Sequence, residues 1–194
     1  MKHGKMSISS TMRITGGSLR GRTISLIEKN GVRYTSSKVR EAIFNVLGDI
    51  RDKSILDLFA GAGSFTIEAM SRGASRATSV EMDREMARIL KKNLTSLTLN
   101  NYCHVLIMDV IYAVPILSKS AFSYDIIFMD PPYDRGYVKE TMKILGINRI
   151  YDAHSLIVIE HSKREVPLVS QHEGWHHIDT KGYGDTVVTI LEAD

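Results

Sequence analysis

The stretch Asp57-Leu-Phe-Ala-Gly61-Ala-Gly63-Ser-Phe-Thr66 carries the strongest indication of the fold, because it joins an apolar run to a predicted helix. The run at 54–59, SILDLF, predicts a buried β-strand, and the helix is expected to begin at about Ser64. The glycines between them allow a ligand to approach the backbone closely and to meet the amino-terminal end of the helix. This order of strand, glycine loop and helix favours a ligand-binding α/β fold.

The acidic residue Asp57 indicates what kind of ligand the loop accepts. It lies four residues before Gly61 and is expected to face the same loop, where a carboxylate repels a phosphate and attracts an ammonium group. A dinucleotide fingerprint, which serves a pyrophosphate, has a third small residue where this chain has Thr66. S-adenosylmethionine carries an amino group and a sulfonium and has no phosphate. The loop therefore favours S-adenosylmethionine over a nicotinamide dinucleotide.

Apolar strands and helices alternate after this loop. Further strands are predicted at 76–81, 104–108, 124–129 and 155–160. A helix capped by Asp83 presents an apolar face made of Met86, Ile89, Leu90, Leu94 and Leu97. Near-continuous apolar strands alternating with helices predict a parallel sheet covered on both faces. The segment 176–191 predicts a hairpin around Gly182–Gly184, so the sheet is expected to finish with an antiparallel strand.

Acidic residues follow the next two predicted strands at the same edge of the sheet. Glu81 ends the strand at 76–81, where an acid commonly binds paired ribose hydroxyls. Asp109 follows the strand at 104–108, where a carboxylate can accept from an adenine amine, and Met82 is placed to pack on the adenine face. Open α/β sheets bind ligands at this carboxyl edge. A solvated strand end or a helix cap is the alternative for each acid taken alone.

The tetrapeptide Asp130-Pro131-Pro132-Tyr133 is the most informative stretch for the reaction. It ends the predicted strand at 124–129, beside the glycine loop in a doubly wound order. The prolines lack backbone donors and fix φ, so the carbonyls of Asp130 and Pro131 are held in place as free acceptors. The Asp130 carboxylate and the Pro131 carbonyl are then two well-placed acceptors. Two such acceptors can hold both N–H groups of an exocyclic base amine and aim its lone pair at a methyl carbon. Tyr133 is expected to stack on the base; a strand-ending turn with a capping aspartate is the alternative.

The amino-terminal part of the chain is strongly basic. Residues 1–40 contain nine Lys or Arg side chains and one acid, Glu28, whereas the remaining residues contain 16 basic and 21 acidic side chains. Residues 12–27 predict a small hairpin, and residues 36–48 predict a helix. The apolar stripe of that helix is Val39, Ile43, Val46 and Leu47, with Ser36 or Ser37 as the N-cap and Gly48 at the end. A basic segment on a mildly acidic body indicates a polyanionic partner, with a solubilising tail as the alternative.

Together these motifs resemble a class I S-adenosylmethionine-dependent methyltransferase, and more closely the RsmD family of bacterial 16S rRNA guanine-N2 methyltransferases. The segments that carry the resemblance are RITGGSLRGR (13–22), TSSKVREAIFN (35–45), DLFAGAGSFTIEAMSRGA (57–74), VEMDRE (80–85), DPPY (130–133) and YG (183–184). The resemblance implies a Rossmann-like α/β fold with a mostly parallel seven-stranded sheet, an antiparallel last strand and a small N-terminal β-hairpin extension. It also implies a basic RNA-contacting extension at 1–34 and a methyltransferase domain at 35–194.

The resemblance assigns residues to three roles. The residues expected to bind the cofactor S-adenosylmethionine are Asp57, Phe59, Gly61, Gly63, Glu81, Met82, Asp109 and Arg40, the last through the cofactor carboxylate. The catalytic residues are Asp130, Pro131, Pro132 and Tyr133. The residues expected to bind RNA are Arg13, Arg20, Arg22, Arg33 and Lys38. The family usually has Arg-Pro-Thr before the first helix, whereas this chain has Arg33-Tyr34-Thr35, which we expect to leave that loop less rigid.

The expected reaction is metal-free methyl transfer to the exocyclic N2 of a guanine in 16S rRNA, within the small subunit or an assembly intermediate. A DNA adenine-N6 methyltransferase and a protein glutamine methyltransferase share the tetrapeptide and remain alternatives, although the short chain and the basic segment disfavour them. A non-catalytic RNA-binding assembly factor with the same fold is the third alternative.

Composition excludes several other classes of protein. Of 194 residues, 43% are hydrophobic and 24% are charged, which is typical of a folded globular domain. The single cysteine, Cys103, excludes an internal disulfide and a Cys-rich zinc site, and His172, His176 and His177 have no acid or cysteine at a ligand spacing. No apolar run approaches a membrane span, and the N-terminus lacks a secretory apolar region. We therefore expect a cytoplasmic monomer with no metal site and no membrane segment.

Overall fold

The computed structural model describes residues 10–28, 33–120, 122–165 and 174–194. Within those ranges the strands are β1 (Ser10–Arg13), β2 (Thr23–Leu26), β3 (Ser54–Asp57), β4 (Arg76–Val80), β5 (Cys103–Leu106), β6 (Ile126–Met129), β7 (Leu156–Ser162), β8 (Trp175–Tyr183) and β9 (Thr186–Ala193). The helices are α1 (Ser37–Leu47), α2 (Ser64–Ser71), α3 (Arg84–Ser96), α4 (Val110–Leu117) and α5 (Tyr137–Ile147). A 3₁₀ turn at Lys163–Glu165 follows β7. No helix in the described ranges is long and apolar enough to cross a membrane.

Seven strands form one sheet in the order β5-β4-β3-β6-β7-β9-β8. The strands from β5 to β7 are parallel to their neighbours, whereas β9 is antiparallel to both β7 and β8. This confirms the predicted α/β fold, with its mostly parallel sheet and antiparallel finish. The later strand, β9, lies inside the sheet and β8 forms the edge. The reason is composition, because β9 is rich in apolar residues and seven of its eight residues are buried, whereas β8 is mostly polar and largely exposed.

Both faces of the sheet are covered. Ile55 and Leu56, which are successive residues of β3, are fully buried in two different apolar clusters. The cluster around Leu56 includes side chains of α4 and α5, and the cluster around Ile55 includes side chains of α1 and α2. Because successive side chains of a strand point to opposite faces, helices pack on both sides of β3. With both faces covered, a ligand can reach the sheet at the ends of its strands. The carboxyl ends of the parallel strands, called here the carboxyl edge, are one of these places.

The predicted N-terminal hairpin is formed by β1 and β2, and it packs firmly against the body. Its apolar side chains share a buried cluster with α2 and α3. The carboxylate of Glu68 in α2 accepts hydrogen bonds from the backbone N–H groups of Thr15 and Gly16 at 2.9 and 2.8 Å. Asn93 in α3 also pairs with both backbone groups of Ser25 at 2.8 and 3.0 Å. These contacts fix the orientation of the hairpin on the body.

Helix α1 begins and ends where the sequence predicts. Ser36 is the N-cap and accepts from the N–H of Val39 at 3.2 Å, and Gly48 ends the helix with φ of 68°. The predicted apolar stripe is wrong at Val46, which is 37% exposed. Phe44 is buried instead, because its ring packs against the ring of Phe128 in β6 at 5.5 Å.

Candidate active site

A cavity of about 1070 Å³ lies at the carboxyl edge of the sheet, where β3 and β6 are neighbours. In the sheet, β4 lies on one side of β3 and β6 lies on the other, so the strand order reverses at β3. Such a reversal is a topological switch point, where open α/β sheets bind ligands. Of the residues predicted to bind cofactor or substrate, those lining the cavity are Phe59, Gly61, Glu81, Met82, Arg33 and the whole tetrapeptide at 130–133. Asp57, Gly63, Asp109 and Arg40 are not among the lining residues.

The glycine loop presents its backbone to this cavity. Gly61 has φ of +54°, and a Cβ atom added to it would have as its nearest neighbour the Cε of Met86 at 3.6 Å. Its N–H donates to Oε2 of Glu81 at 2.8 Å, and Oε1 of Glu81 accepts from the N–H of Asp83 at 2.7 Å. The Glu81 carboxylate is therefore held at the end of β4. Met82, which is 61% exposed, provides an apolar wall beside it.

Asp57 lies beneath the loop rather than on the cavity surface. Its Oδ2 accepts from the backbone N–H and the hydroxyl of Thr66 at 3.2 and 2.8 Å. Its Oδ1 is buried and has no hydrogen-bond partner in the described part of the chain. Burial raises the pKa of the Asp57 carboxyl to about 6. Because this oxygen of Asp57 has no donor on the inner side of the glycine loop, it favours a positively charged group on the cavity side of the loop.

Three other predicted cofactor residues have structural roles. Gly63 caps α2 with φ of +92°, and a Cβ there would lie 2.3 Å from Cδ1 of Leu90. Asp109 caps α4 by accepting from the N–H of Ile111 at 3.1 Å. The expectation for Arg40 is contradicted, because its buried guanidinium pairs with Oε2 of Glu68 at 3.1 Å and donates to the carbonyl oxygen of Arg13 at 2.6 Å. Arg40 therefore joins α1 to α2 and the hairpin instead of reaching the cavity.

The tetrapeptide follows β6, directly beside the loop that follows β3. Oδ2 of Asp130 lies at hydrogen-bond distance, 3.0 Å, from Oγ1 of Thr35. The hydroxyl of Tyr133 donates to Oε1 of Glu160 at 2.8 Å, and the guanidinium carbon of Arg33 lies 5.2 Å from the centre of the Tyr133 ring. A cation over a ring at this distance is a cation–π contact. Arg33 and Tyr133 thus form a stacked pair inside the cavity.

The sequence analysis missed Glu160, the buried carboxyl near the end of β7. Its Oε2 lies 2.8 Å from Oγ1 of Thr35, so the same threonine hydroxyl contacts both Asp130 and Glu160. Burial, and secondly the charge of Glu160, holds the pKa of Asp130 well above its usual range, and burial also raises the pKa of Glu160. The signal was present, because the predicted strand at 155–160 ends in an acid, as the strand at 76–81 does.

A family model described as Conserved hypothetical protein 95 matches residues 12–192. The chain belongs to this family. Ribosomal RNA small subunit methyltransferase D of Escherichia coli strain K12 is 38% identical over 161 residues, which is 82% of this chain and 79% of the relative. The putative rRNA methyltransferase YlbH of Bacillus subtilis strain 168 is 35% identical over 158 residues, with 81% and 85% covered.

A solved structure described as the putative methyltransferase yhhF from Escherichia coli has the same fold as this family member. It matches with a TM-score of 0.83 at 31% sequence identity, and the match covers 95% of this chain and 99% of that chain. These relatives confirm the predicted resemblance to the RsmD family and the class I methyltransferase fold.

Tyr34 stands where the resemblance to the RsmD family implies proline. Its hydroxyl donates to the carbonyl oxygen of Ile27 at 2.8 Å and lies 3.3 Å from the N–H of the same residue. These contacts attach the loop before α1 to the end of the hairpin. Tyr34 thus restrains this loop by a tertiary contact, whereas a proline would restrain it by fixing the backbone φ angle. Residues 29–32, between the two contact points, lie outside the described ranges.

All five residues predicted to bind RNA are exposed: Arg13, Arg20, Arg22, Arg33 and Lys38. Arg22 donates to the carbonyl oxygen of Ser96 at 3.0 Å, which brings the hairpin turn beside α3. The outer face of α3 carries the exposed cations Arg84, Arg88, Lys91 and Lys92. Arg84 also lines the cavity. In this family member a basic surface, defined here as Arg20, Arg22, Arg84, Arg88, Lys91 and Lys92, therefore extends from the hairpin to the cavity rim.

Proposed function

We propose that the protein transfers a methyl group from S-adenosylmethionine to the exocyclic N2 amine of a guanine in 16S rRNA. The observation that carries the proposal is the position of the tetrapeptide, which lines the same cavity as Gly61 and Glu81. A methyl donor bound at the loop and an amine bound at Asp130 would meet in one confined space. Positioning of this kind is the main source of catalysis in a direct displacement.

The residues around the glycine loop fit S-adenosylmethionine. Glu81 offers a fixed carboxylate for ribose hydroxyls, and Phe59 and Met82 offer apolar surface for adenine. The unpartnered oxygen of Asp57 places negative charge behind the loop, which suits the cofactor's amino group. When bound there, the cofactor supplies an activated methyl group on a positively charged sulfur.

The tetrapeptide fits an exocyclic amine. Such an amine is a weak nucleophile because its lone pair is delocalised into the base. The Asp130 carboxylate and the Pro131 carbonyl can accept its two N–H groups and favour a pyramidal nitrogen. The stacked pair of Arg33 and Tyr133 offers a platform for a base, since bases stack on both aromatic rings and guanidinium planes.

The basic surface fits an RNA backbone. Its six cations lie on the hairpin and on α3, and Arg84 continues it into the cavity. Lys and Arg side chains bind nucleic acid largely by displacing counterions from phosphates. The proposal therefore assigns backbone contacts to this surface and base recognition to the cavity. It includes a cytoplasmic monomer, an RNA-contacting extension at 1–34 and a small subunit or assembly intermediate as substrate.

The decisive experiment offers labelled S-adenosylmethionine together with small ribosomal subunits, free rRNA, duplex DNA or a protein extract. The subunits come from cells that lack this protein, so that their target is unmodified. We expect label in small-subunit rRNA, recovered as N2-methylguanine after digestion. Label in DNA or protein would contradict the rRNA assignment, and no label with intact cofactor binding would favour a non-catalytic RNA-binding factor.

Asp130→Asn provides the matched test of the active site. The variant keeps the shape of the side chain and loses the charge that faces the amine, so turnover is expected to fall by about 10²–10³-fold. Cofactor affinity, measured by calorimetry, should stay unchanged. The control is Asp49→Asn, which alters an exposed carboxyl paired with Arg51 and should leave turnover unchanged. Equal effects of the two changes would contradict the role of Asp130.

A further inference from the structure

A chain of hydrogen bonds connects two carboxyls and three hydroxyls at the substrate side of the cavity. Thr35 Oγ1 lies 3.0 Å from Oδ2 of Asp130 and 2.8 Å from Oε2 of Glu160. Tyr133 Oη lies 2.8 Å from Oε1 of Glu160 and 3.1 Å from Oγ1 of Thr186. These four contacts join the loop before α1, the tetrapeptide, β7 and β9. We call Asp130 and Glu160 the carboxyl pair.

The number of protons in this chain decides its charge. Each of the four contacts needs one hydrogen atom, and the hydroxyls of Thr35, Tyr133 and Thr186 supply one each. Thr35 in particular can donate to only one of its two neighbours. If both carboxyls were ionised, one pair of oxygens would be at hydrogen-bond distance with no hydrogen between them. The missing hydrogen therefore belongs to a carboxyl.

We propose that Asp130 and Glu160 hold a single proton between them through the hydroxyl of Thr35, and that Glu160 is a positioning residue for the reaction at Asp130. With the proton on Glu160, Asp130 is an anion that faces the substrate amine. With the proton on Asp130, the carboxyl is neutral and is a weaker acceptor for that amine. This inference rests on the proposed function for its role in the reaction, and on the hydrogen bonds alone for the shared proton.

The surroundings of the pair favour one proton over none. Glu160 is buried and Asp130 is partly buried in the cavity wall, and two like charges this close together repel strongly. Asp57, behind them on β3, adds further negative charge, whereas Arg33 adds a positive charge. The pKa of Asp130 is raised mainly by burial and then by Glu160, in agreement with a carboxyl pair that keeps a proton. Pairs of this kind titrate as a unit rather than as two independent acids.

The shared proton has a defined place in the reaction. As the new N–C bond forms and the donor's S–C bond breaks, the electron pair of that bond goes to sulfur and the nitrogen becomes positively charged. The nitrogen then loses one N–H proton, which the ionised Asp130 can accept directly or through water. The carboxyl pair then holds two protons, and release of one to solvent restores the starting state.

Infrared difference spectroscopy on the protein alone tests the shared proton. The wild-type protein at pH 7.5 should show the C=O stretch of a protonated carboxylic acid that Glu160→Gln lacks. In that variant the amide N–H can donate to Thr35, Thr35 can donate to Asp130, and no acid proton is needed. Asp57 is present in both proteins and cancels in the difference. Identical spectra would overturn the proposal.

The pH dependence of single-turnover methyl transfer tests the positioning role. In the wild type an ionised Glu160 favours the form in which Asp130 holds the shared proton. Glu160→Gln removes that form, so the acid limb of the profile should move to lower pH by about one unit or more. Thr35→Val removes the hydroxyl that lowers the pKa of Asp130 by donating to it, so the limb should move to higher pH, and Thr35→Ser should restore it. A merely structural role would lower the rate equally at every pH, and that result would overturn the positioning role.

The two measurements separate this inference from the proposed function. An acid band that depends on Glu160, found together with no methylation of any RNA, would support the shared proton and contradict the proposed function. RNA methylation without the band and without a shift of the acid limb would support the proposed function and contradict the shared proton. Thermal unfolding of each variant verifies that it is folded.

Discussion

At the scale of single residues, the fold buries the negative charge of Asp57 without a complete set of donors. Only Oδ2 is hydrogen-bonded in the described structure, and Oδ1 is not. The folded-state pKa of about 6 lies above the ordinary value of 3.8, so the folded state binds more protons than the unfolded state between these values. Stability therefore falls as the pH rises from about 4 to about 6, and it is constant with respect to this group above that window.

We expect Asp57→Asn to remove this dependence. The free energy of unfolding of the wild type, minus that of the variant, should decrease by an amount on the order of 3 kcal/mol as the pH rises from 4 to 7. Urea unfolding at several pH values measures the difference. Asp49→Asn is the control, because Arg51 lowers the pKa of Asp49 to about 2 and the contribution of that group is lost in acid instead. A wild-type minus Asp57→Asn difference that is flat or rises with pH would contradict the prediction.

Residue roles could be predicted from sequence where position along the chain decides them. Glu81 and the tetrapeptide follow apolar strands, and parallel strands bring those ends to one edge whatever else the fold does. The role of Arg40 could not be predicted in this way. Helical spacing indicates that Arg40 is in α1, but its ion pair with Glu68 depends on how α1 and α2 pack. Glu160 also ends a predicted strand, but its contact with Thr35 depends on how the loop before α1 packs against β7.

At the scale of elements, the close approach of α2 and α3 depends on Gly63. A methyl group there would overlap Cδ1 of Leu90, and the backbone φ of +92° is also unfavourable for other residues. Gly63→Ala should therefore lower the free energy of unfolding by about 2–4 kcal/mol, from overpacking plus backbone strain. Thermal or urea unfolding measures the loss.

Gly21→Ala is the matched control for this prediction. Gly21 also has a positive φ, +86°, but within the described residues no heavy atom other than those of its chain neighbours lies within 4 Å of the position of an added Cβ. The control variant therefore has backbone strain without overpacking, and its free energy of unfolding should be lower than that of the wild type by about 1 kcal/mol. Equal losses for the two variants would show that the contact with Leu90 carries no cost.

Most element types and boundaries could be predicted from periodicity and caps, as α1 and α3 show. The order of the last two strands could not. Sequence alone predicts a hairpin near Gly182–Gly184, but either strand of a hairpin can pair with β7. The greater burial of β9 decides the choice, and that burial depends on contacts with distant parts of the chain.

At the scale of the whole molecule, the charge is distributed unevenly. The basic surface lies on the hairpin and α3, next to the cavity, and we expect it to supply phosphate contacts. Replacing Arg20 and Arg22 with glutamine should weaken RNA binding and reduce the slope of log K against log salt by about 1.4–1.8, if each contacts one phosphate. Cofactor affinity should stay the same.

Arg51 and Lys53 provide the matched control for this double variant. Both are exposed cations beside the amino end of β3, at the opposite edge of the sheet from the cavity. Replacing them with glutamine removes the same charge from the molecule and should leave the salt slope unchanged. If both double variants weakened RNA binding equally, net charge rather than the basic surface would be responsible.

The position of β9 has a consequence for how the protein is made. Thr186 opens β9 and completes the hydrogen-bond chain of Tyr133, and β9 must be in place before β8 can join the sheet. The ribosome synthesises the glycine loop and the tetrapeptide well before it reaches this strand. A nascent chain therefore cannot complete the substrate side of its own cavity until β9 has left the exit tunnel, so the capacity to act on another ribosome's RNA arises only after this strand has been synthesised.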